Sequence, residues 1–411
     1  MTELIVNNSR KRFISTALVV VILPVLYFCI LWVFVGSTPL RWDAGWYRNI
    51  AENGYRFNGD IWTQNSVAFL PGASMFLWLI RIVFQLNYEH AQILSSIITY
   101  AIGSVCFLIY LEGKMRVEAA GMTIIFLTFS PFGIYLFNGY SESLFYCIVG
   151  AFIVFLEKRK FIICSLLVGF GIITRPHGII LLPILWAWWA YPLISRGSRA
   201  LNICRSLLSS MFHGLPLMLL ALMIPMALTV YYYVFFGDSL IYANALTAWH
   251  GSKSSLPFFF ERLFDWGSAP ISKTHLIKRM DNYLNYSVEP VKLACTLFLI
   301  NCITLIIFSK KLIKNNLSIL FSFQLGIIFF SILTGSFPNF GRHTIFLFPM
   351  AIVAALLLND LYSWCIAGNF SNKINSAGGI AVFVLIVSVF LLSFSLFVQY
   401  GLMQLNGIWV S

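Results

Sequence analysis

The sequence predicts an all-α polytopic membrane protein, a bundle of spanning helices. Hydrophobic residues make up 59% of the 411 residues and charged residues only 10%, whereas a soluble domain carries roughly 25% charged residues. Apolar segments of about 20 residues, the length that crosses a bilayer as a helix, recur along the chain. No ten-residue segments alternate in the way that the strands of a membrane barrel do. Helices and closed barrels alone satisfy every backbone polar group in lipid, so the helical bundle is the fold class that remains.

Basic residues set the predicted orientation, since they mark the cytoplasmic loops of membrane proteins. The net charge of +12 is explained in this way and predicts no nucleic-acid partner. Arg10 to Arg12 precede an apolar run without a small-residue cleavage site, which predicts a first spanning helix and a cytoplasmic N-terminus. The stretch 67–86 is interrupted by Pro71 and Gly72. If it crossed, the basic clusters at 114–116 and 158–160 would lie outside, so we expect it to lie in the outer interface.

This topology makes the chain 1–411 a single integral-membrane domain with about eleven spanning helices. Its first external loop, 36–90, carries juxtamembrane helices, and a second external loop covers 237–290. The eight cysteines show no metal-ligand spacing, and neither a metal nor a cofactor is predicted. The predicted spans are 13–35, 91–111, 119–137, 140–156, 161–174, 177–194, 207–236, 291–308, 317–335, 342–358 and 378–400.

The first external loop begins with RWDAGWYRNIAENGY, residues 41–55, which has the pattern of a helix lying in the membrane interface. One stripe of this helix is formed by Trp42, Trp46 and Ile50, with Arg48 and Glu52 on the other side. Asp43 lies at its start and has two interpretations. It is either the N-cap of a surface helix or a functional carboxylate held at the edge of the bilayer.

Further polar side chains, whose burial at a membrane boundary is energetically unfavourable, fall in turns on the same predicted face. Arginine suits the bidentate recognition of phosphate, and a carboxylate that takes a proton from a hydroxyl suggests transfer to an alcohol. Each residue alone also has an ordinary structural explanation, such as a first-turn acid or an arginine that reaches the interface. No Walker A, G-x-G-x-x-G or H-E-x-x-H motif is present. The residues concerned, besides Asp43, are Glu142, Arg175, His177, Arg342 and His343.

Five segments, in order, resemble the PIG-V family, whose eukaryotic members are the second mannosyltransferase of glycosylphosphatidylinositol anchor synthesis. They are RWDAGWYRNIAENGY, AFLPG (68–72), SPFGIYLFNGYSESLF (130–145), TRPHG (174–178) and GRHTIFLFP (341–349). The resemblance implies a GT-C glycosyltransferase fold with its active site on the extracytoplasmic face. It also implies a polyprenyl-phosphate sugar as donor. Short loops and the lack of a dilysine tail favour a bacterial relative in the cytoplasmic (inner) membrane over an enzyme of the endoplasmic reticulum.

The resemblance also implies roles for individual residues. Asp43 becomes the general base or acceptor orienter, and Glu142 becomes a second carboxylate that positions sugar hydroxyls. Arg175 and Arg342 become ligands of the lipid phosphate. The remaining candidates for substrate binding are Trp42, Trp46, Tyr140, Ser141, His177 and His343.

The predicted reaction is transfer of a hexose, with mannose favoured, from the polyprenyl-phosphate donor to a lipid-linked or glycan acceptor. Membrane lipids are expected partners, and family analogy suggests a small membrane subunit. The alternative is a transporter or flippase of a lipid-linked saccharide. That class would need charged residues along a path through the bilayer, whereas here the costly residues fall on one face.

Overall fold

The computed structural model describes residues 2–35, 40, 42–194, 200–246, 248, 297, 299–310, 317–334, 351–352, 391, 394–399 and 402. These residues form α-helices, short 3₁₀ turns and connecting loops, with no β-strand among them. The predicted all-α fold class is therefore confirmed. Among the described residues, three stretches are long and apolar enough to cross a membrane, namely Arg10–Ile30, Tyr88–Glu112 and Phe212–Phe236.

The α-helices follow the apolar segments of the sequence. Short 3₁₀ turns lie at Ser66–Ala68, Gly133–Leu136 and Pro176–Ile180. The helices are α1 (Thr2–Val35), α2 (Asp43–Asn53), α3 (Gly72–Phe84), α4 (Tyr88–Glu112), α5 (Val117–Thr128), α6 (Ser141–Glu157), α7 (Phe161–Thr174), α8 (Leu181–Ile194), α9 (Ala200–Phe236), α10 (Ile241–Ala245), α11 (Leu299–Lys310) and α12 (Ser318–Thr334).

Two predicted spans extend several residues beyond the α-helices that the structure describes. The span 119–137 is wrong in its second half, because α5 ends at Thr128. Pro131 explains this end, since proline has no N–H and disfavours a helical conformation in the residue before it. The span 177–194 begins with a 3₁₀ turn, so α8 starts only at Leu181. The predicted span 342–358 lies almost entirely outside the described residues.

Helix α3 occupies most of the segment that was predicted to remain in the interface. Its 13 residues make a helix of about 20 Å at 1.5 Å per residue, shorter than the roughly 30 Å of a hydrocarbon core. Leu77 and Ile80 are buried on one face, while Trp78 and Val83 are exposed on the other. A straight helix of this length is too short to cross a bilayer of undisturbed thickness. Its side of the membrane stays a prediction.

The basic clusters near 12 and 114–116 meet at one end of the bundle. Arg12 lies 3.8 Å from Glu118, and Arg116 lies 3.6 Å from the same carboxylate. Lys114 pairs with Glu157 at the last residue of α6. The first residues of α6 and the last of α7 consequently lie toward the opposite end of the bundle.

Helices α4 and α6 form the centre of the core and pack closely along their length. Gly103 and Gly150 permit this contact: a Cβ on Gly103 would lie 2.5 Å from Tyr146, and one on Gly150 would lie 3.0 Å from the carbonyl of Gly103. Small residues allow the close approach of membrane helices in this way. Tyr100 and Tyr146 are fully buried beside them. This packing determines where the first turn of α6, with its polar residues, lies.

Candidate active site

Helix α2 packs on the bundle through one face. Its buried residues are Ala44, Tyr47 and Ile50, whereas Trp42 is 40% exposed. The sequence predicts that the stripe of Trp42, Trp46 and Ile50 faces the membrane interface; the exposure of Trp42 is compatible with this, whereas Ile50 is buried in the protein. Trp46 is partly buried and stacks on Phe69, with 5.6 Å between ring centroids. Indole rings favour positions where one edge stays near the wet interface, and the smaller residues contact the bundle instead.

The start of α2 shows where Asp43 lies relative to the end of the helix. Trp42 occupies the N-cap position, with a φ of 56° and no side-chain capping hydrogen bond. Asp43 is the first helical residue, where a negative charge favours the helix dipole. Its side chain is partly exposed. Trp42 rather than Asp43 therefore occupies the N-cap position, and a catalytic role for Asp43 stays a prediction.

A buried cluster of four polar side chains joins α2 to the bundle. The Tyr47 hydroxyl donates a hydrogen bond to the Ser141 hydroxyl at 3.0 Å. Arg175 Nη1 donates to the same Ser141 oxygen at 3.3 Å and lies 2.6 Å from a carboxylate oxygen of Glu142. Relative exposures are 6% for Tyr47, 1% for Ser141, 0% for Glu142 and 6% for Arg175. The structure thus brings together α2, the NGYSES segment (138–143) at the start of α6 and the TRPHG turn.

Local sequence explains how the two charges meet. Pro176 disfavours a helical conformation in Arg175, which is extended with a φ of −148° and a ψ of 144° just beyond α7. Glu142 lies in the first turn of α6. The helix dipoles favour both placements, because a negative charge is stabilised at the N-terminus of α6 and a positive charge at the C-terminus of α7. Glu142 and Arg175, which were assigned to the sugar and to the lipid phosphate, neutralise each other here.

The other predicted site residues lie around this cluster or outside the described residues. Tyr140 is buried, with its ring centroid 5.4 Å from that of Tyr135. His177 is buried in a 3₁₀ turn, and its ring centroid lies 4.5 Å from that of Phe330. Arg342 and His343 lie outside the described residues. In the part of the chain that the structure describes, no three His, Cys, Asp or Glu residues gather as metal ligands.

The chain folds like an archaeal oligosaccharyltransferase. It matches the Archaeoglobus fulgidus enzyme tethered to an acceptor peptide with a TM-score of 0.53 and 11% identity, over 95% of this chain and 55% of that one. The apo form of that enzyme gives 0.51 and 12% identity, over 97% and 56%. At these identities the likeness shows the fold alone. It confirms the GT-C-like bundle that the motifs implied.

A sequence relative covers a smaller part of the chain. The GPI mannosyltransferase 2 of Schizosaccharomyces pombe is 32% identical over 132 residues, which are 30% of this chain and 26% of that protein. No family model matches the chain. The chain also spans only about half the length of the oligosaccharyltransferase, at 55% and 56% in the two structures.

Two residues of this site carry no charge and were not singled out by the charge pattern of the sequence. Tyr47, in the second turn of α2, provides the direct bond to Ser141. Gln92, in α4, is 2% exposed and bonds the backbone on both sides of the site. Both residues line a small crevice between α2, α3, α4 and α6, together with Gly139 and Tyr140. A polar side chain on a spanning helix is itself a signal of function, and that signal could have identified Gln92.

Tyrosines also attach the rest of the first loop to α9 and α10. The Tyr55 hydroxyl donates to the carbonyl of Phe69 at 2.6 Å and accepts from the Tyr232 hydroxyl at 3.2 Å. Burial raises the pKa of Tyr55 well above its ordinary value, so its phenol stays neutral. Burial likewise raises the pKa of Tyr242, while the positive charge of Arg175 acts in the opposite direction. The segment after α9 therefore belongs to the surroundings of the site.

Proposed function

We propose that this protein is a glycosyltransferase that moves a hexose from a polyprenyl-phosphate sugar to a lipid-linked or glycan acceptor. The observation that carries the proposal is the buried Tyr47–Ser141–Glu142–Arg175 cluster, which holds the helix that begins with Asp43. The fold is that of a membrane oligosaccharyltransferase, and the mannosyltransferase relative supports mannose as the sugar. The proposed location is the extracytoplasmic face of a bacterial cytoplasmic membrane.

Burial separates the proposed roles of the charged residues. Glu142 is 0% exposed and Arg175 is 6% exposed, while Asp43 is partly exposed. This difference in burial supports Asp43 as the carboxylate that receives the proton of the acceptor hydroxyl. We assign the paired charges to support of the site. A phosphate-binding role for Arg175 would require it to serve the donor while it stays paired with Glu142.

The proposed reaction forms one glycosidic bond and breaks one. The acceptor hydroxyl attacks the anomeric carbon of the donor, and the bond from that carbon to the phosphate oxygen breaks. The hydroxyl proton passes to the carboxylate of Asp43, and polyprenyl phosphate leaves with the bonding electron pair. Because the lipid phosphate is a good leaving group, the protein has to orient both substrates and accept the proton.

The test uses purified full-length protein, a polyprenyl-phosphate-linked mannose and a panel of lipid and glycan acceptors in detergent. We expect release of polyprenyl phosphate together with glycoside formation. Asp43→Asn keeps the size of the side chain but removes the base, so transfer should fall by about 10²–10⁴-fold. Glu52→Gln is the matched control, because Glu52 is an exposed acid on the same helix, and it should retain the parent rate.

Two outcomes would contradict the proposal. Near-parent turnover by Asp43→Asn would remove this carboxylate from the reaction. Movement of the intact lipid-linked sugar across sealed vesicles, with no glycoside formed from any acceptor, would establish the transporter alternative instead. Replacing mannose by glucose or galactose in the donor tests the sugar assignment separately from the reaction class.

A further inference from the structure

The side-chain amide of Gln92 joins the two backbone segments that carry the candidate carboxylates. Its Nε2 donates to the carbonyl of Ala44 at 2.8 Å and to the carbonyl of Gly139 at 2.9 Å. Ala44 follows Asp43 directly, and Gly139 lies three residues before Glu142. One neutral group in α4 therefore fixes both segments relative to each other.

The N–H and carbonyl groups of Gly139 lie outside any helix, and side chains of α4 provide their hydrogen bonds. Gly139 precedes α6, and buried peptide groups outside regular structure need partners from side chains. Its N–H donates to the Ser96 hydroxyl at 3.2 Å, and its carbonyl accepts from Gln92. Ser96 lies one helical turn after Gln92, so both side chains lie on the same face of α4. This pair holds Gly139 from both of its polar sides.

Gly139 in turn permits the close approach of Gln92. Its φ is +76°, and a Cβ at this position would lie 2.8 Å from Cγ of Gln92. A left-handed conformation of this kind favours glycine. The glycine of the N-G-Y-S-E segment and the glutamine of α4 therefore depend on each other for this close contact. The glutamine is 2% exposed, so water does not compete for these bonds.

We infer that Gln92 is a positioning residue that sets the distance between the Asp43 carboxylate and the Ser141–Glu142 turn. This inference rests on the proposed function, since it takes Asp43 as the group that receives the proton. Gln92 does not touch the reacting atoms. It acts through the carbonyl of Ala44, which lies in the first turn of α2, and a shift of about 1 Å at a reacting group can reduce a rate by about 10²-fold.

The experiment compares substitutions that remove one hydrogen bond donor from each end of α2. Gln92→Leu removes the bond to Ala44 at the start of α2 together with the bond to Gly139, and Gln92→Glu keeps the shape but places oxygen against both carbonyls. Tyr88→Phe is the matched control, because the Tyr88 hydroxyl donates to the carbonyl of Ala51 at 3.1 Å near the end of α2. Each full-length variant is assayed for kcat and for the KM of the polyprenyl-phosphate mannose. Hydrogen exchange of the amides of residues 43–47 is measured on the same samples.

We expect Gln92→Leu to lower kcat by about 10–100-fold, with KM within a factor of about two and faster exchange at 43–47. Gln92→Glu should behave in the same way, and Tyr88→Phe should keep the parent kcat and the parent exchange at 43–47. A role limited to stability would lower the yield of folded protein and leave kcat unchanged. Unchanged kcat for both Gln92 variants, or exchange at 43–47 no faster than in the parent, would overturn the inference.

The failure of this inference can be told apart from the failure of the proposed function. If Asp43→Asn loses turnover while the Gln92 variants keep it, the inference is wrong and the proposed function stands. If Asp43→Asn keeps turnover, Asp43 is not the proton acceptor, and that part of the proposed function is wrong. The inference about catalysis is then wrong with it, and exchange alone shows whether Gln92 holds α2.

Discussion

Removing one charge of the buried Glu142–Arg175 pair should strongly lower the free energy of unfolding. The side chains are 0% and 7% exposed, and Nη1 lies 2.6 Å from Oε1. Breaking such a pair leaves an uncompensated buried charge, which costs about 3–5 kcal/mol. Arg175→Met and Glu142→Gln should therefore each destabilise the protein by about this amount. The double variant leaves no buried charge, so the coupling between the two substitutions should be roughly 2–3 kcal/mol.

The assay is thermal unfolding in detergent, with the four members of the double-mutant cycle measured in parallel. Unfolding entropy of about 2.1 cal/mol/K per residue, taken over 411 residues, gives roughly 0.9 kcal/mol/K. Each single variant should then lower the apparent Tm by about 3–6 °C, and the double variant by less than the sum. The control cycle is Lys114 with Glu157, whose side chains are 13% and 40% exposed. Its coupling should stay below about 1 kcal/mol.

Additive effects of Glu142→Gln and Arg175→Met, within about 0.5 kcal/mol, would refute the argument that the pair is a buried structural unit. Activity measured on the same variants separates the two roles of Arg175. If the arginine also binds the lipid phosphate, the double variant regains Tm while the KM of the donor stays raised. If the pair only supports the site, stability and donor use recover together.

Three further predictions follow from single positions. Gly139→Ala should lower Tm, because its Cβ would lie 2.5 Å from Leu40 at a φ of +76°, a strain of about 1–3 kcal/mol; Gly45→Ala, with no atom within 4 Å, should not, and equal effects would contradict the steric argument. Burial raises the pKa of Tyr55, so the stabilising effect of its neutral phenol is present below about pH 10, the pKa of the unfolded side chain, and is lost as pH rises further. Tyr55→Phe should therefore flatten the alkaline decline of Tm, and an unchanged slope would count against this. A single cysteine at Arg116 should resist labelling from outside intact cells, and its labelling would reverse the proposed orientation.

Much of the site could be predicted because charge is expensive in a membrane. The basic clusters at 10–12 and 114–116 predicted which segments share an end of the bundle. The structure brings Arg12 and Arg116 to one carboxylate, that of Glu118. The turns with Glu142 and Arg175 likewise meet. The positions of the charged residues in the sequence therefore predict which segments of the chain lie near each other.

Pairing and rotation could not be predicted in the same way. The charge rule places Glu142 and Arg175 on one face, but it does not say that one neutralises the other, since that depends on how α6 and α7 pack. The rotation of α2 decides whether Tyr47 or Trp42 faces the bundle, and both are aromatic residues suited to an interface. A polar residue on a spanning helix could have drawn attention to Gln92, but its role could not be predicted, because the sequence does not show which backbone carbonyls accept its hydrogen bonds.

The shortness of α7 has a consequence for the lipid around the protein. Its 14 residues begin after Lys160 and end before Arg175, so the helix measures about 21 Å at 1.5 Å per residue. With Lys160 at one surface of a hydrocarbon layer of roughly 30 Å, Arg175 would lie about 9 Å below the other surface. Such hydrophobic mismatch is relieved when the bilayer thins locally. A bilayer thinned beside α7 would bring the phosphate of the proposed polyprenyl carrier closer to the level of Arg175, so acyl-chain length in the host membrane would itself affect how readily the proposed donor reaches the site.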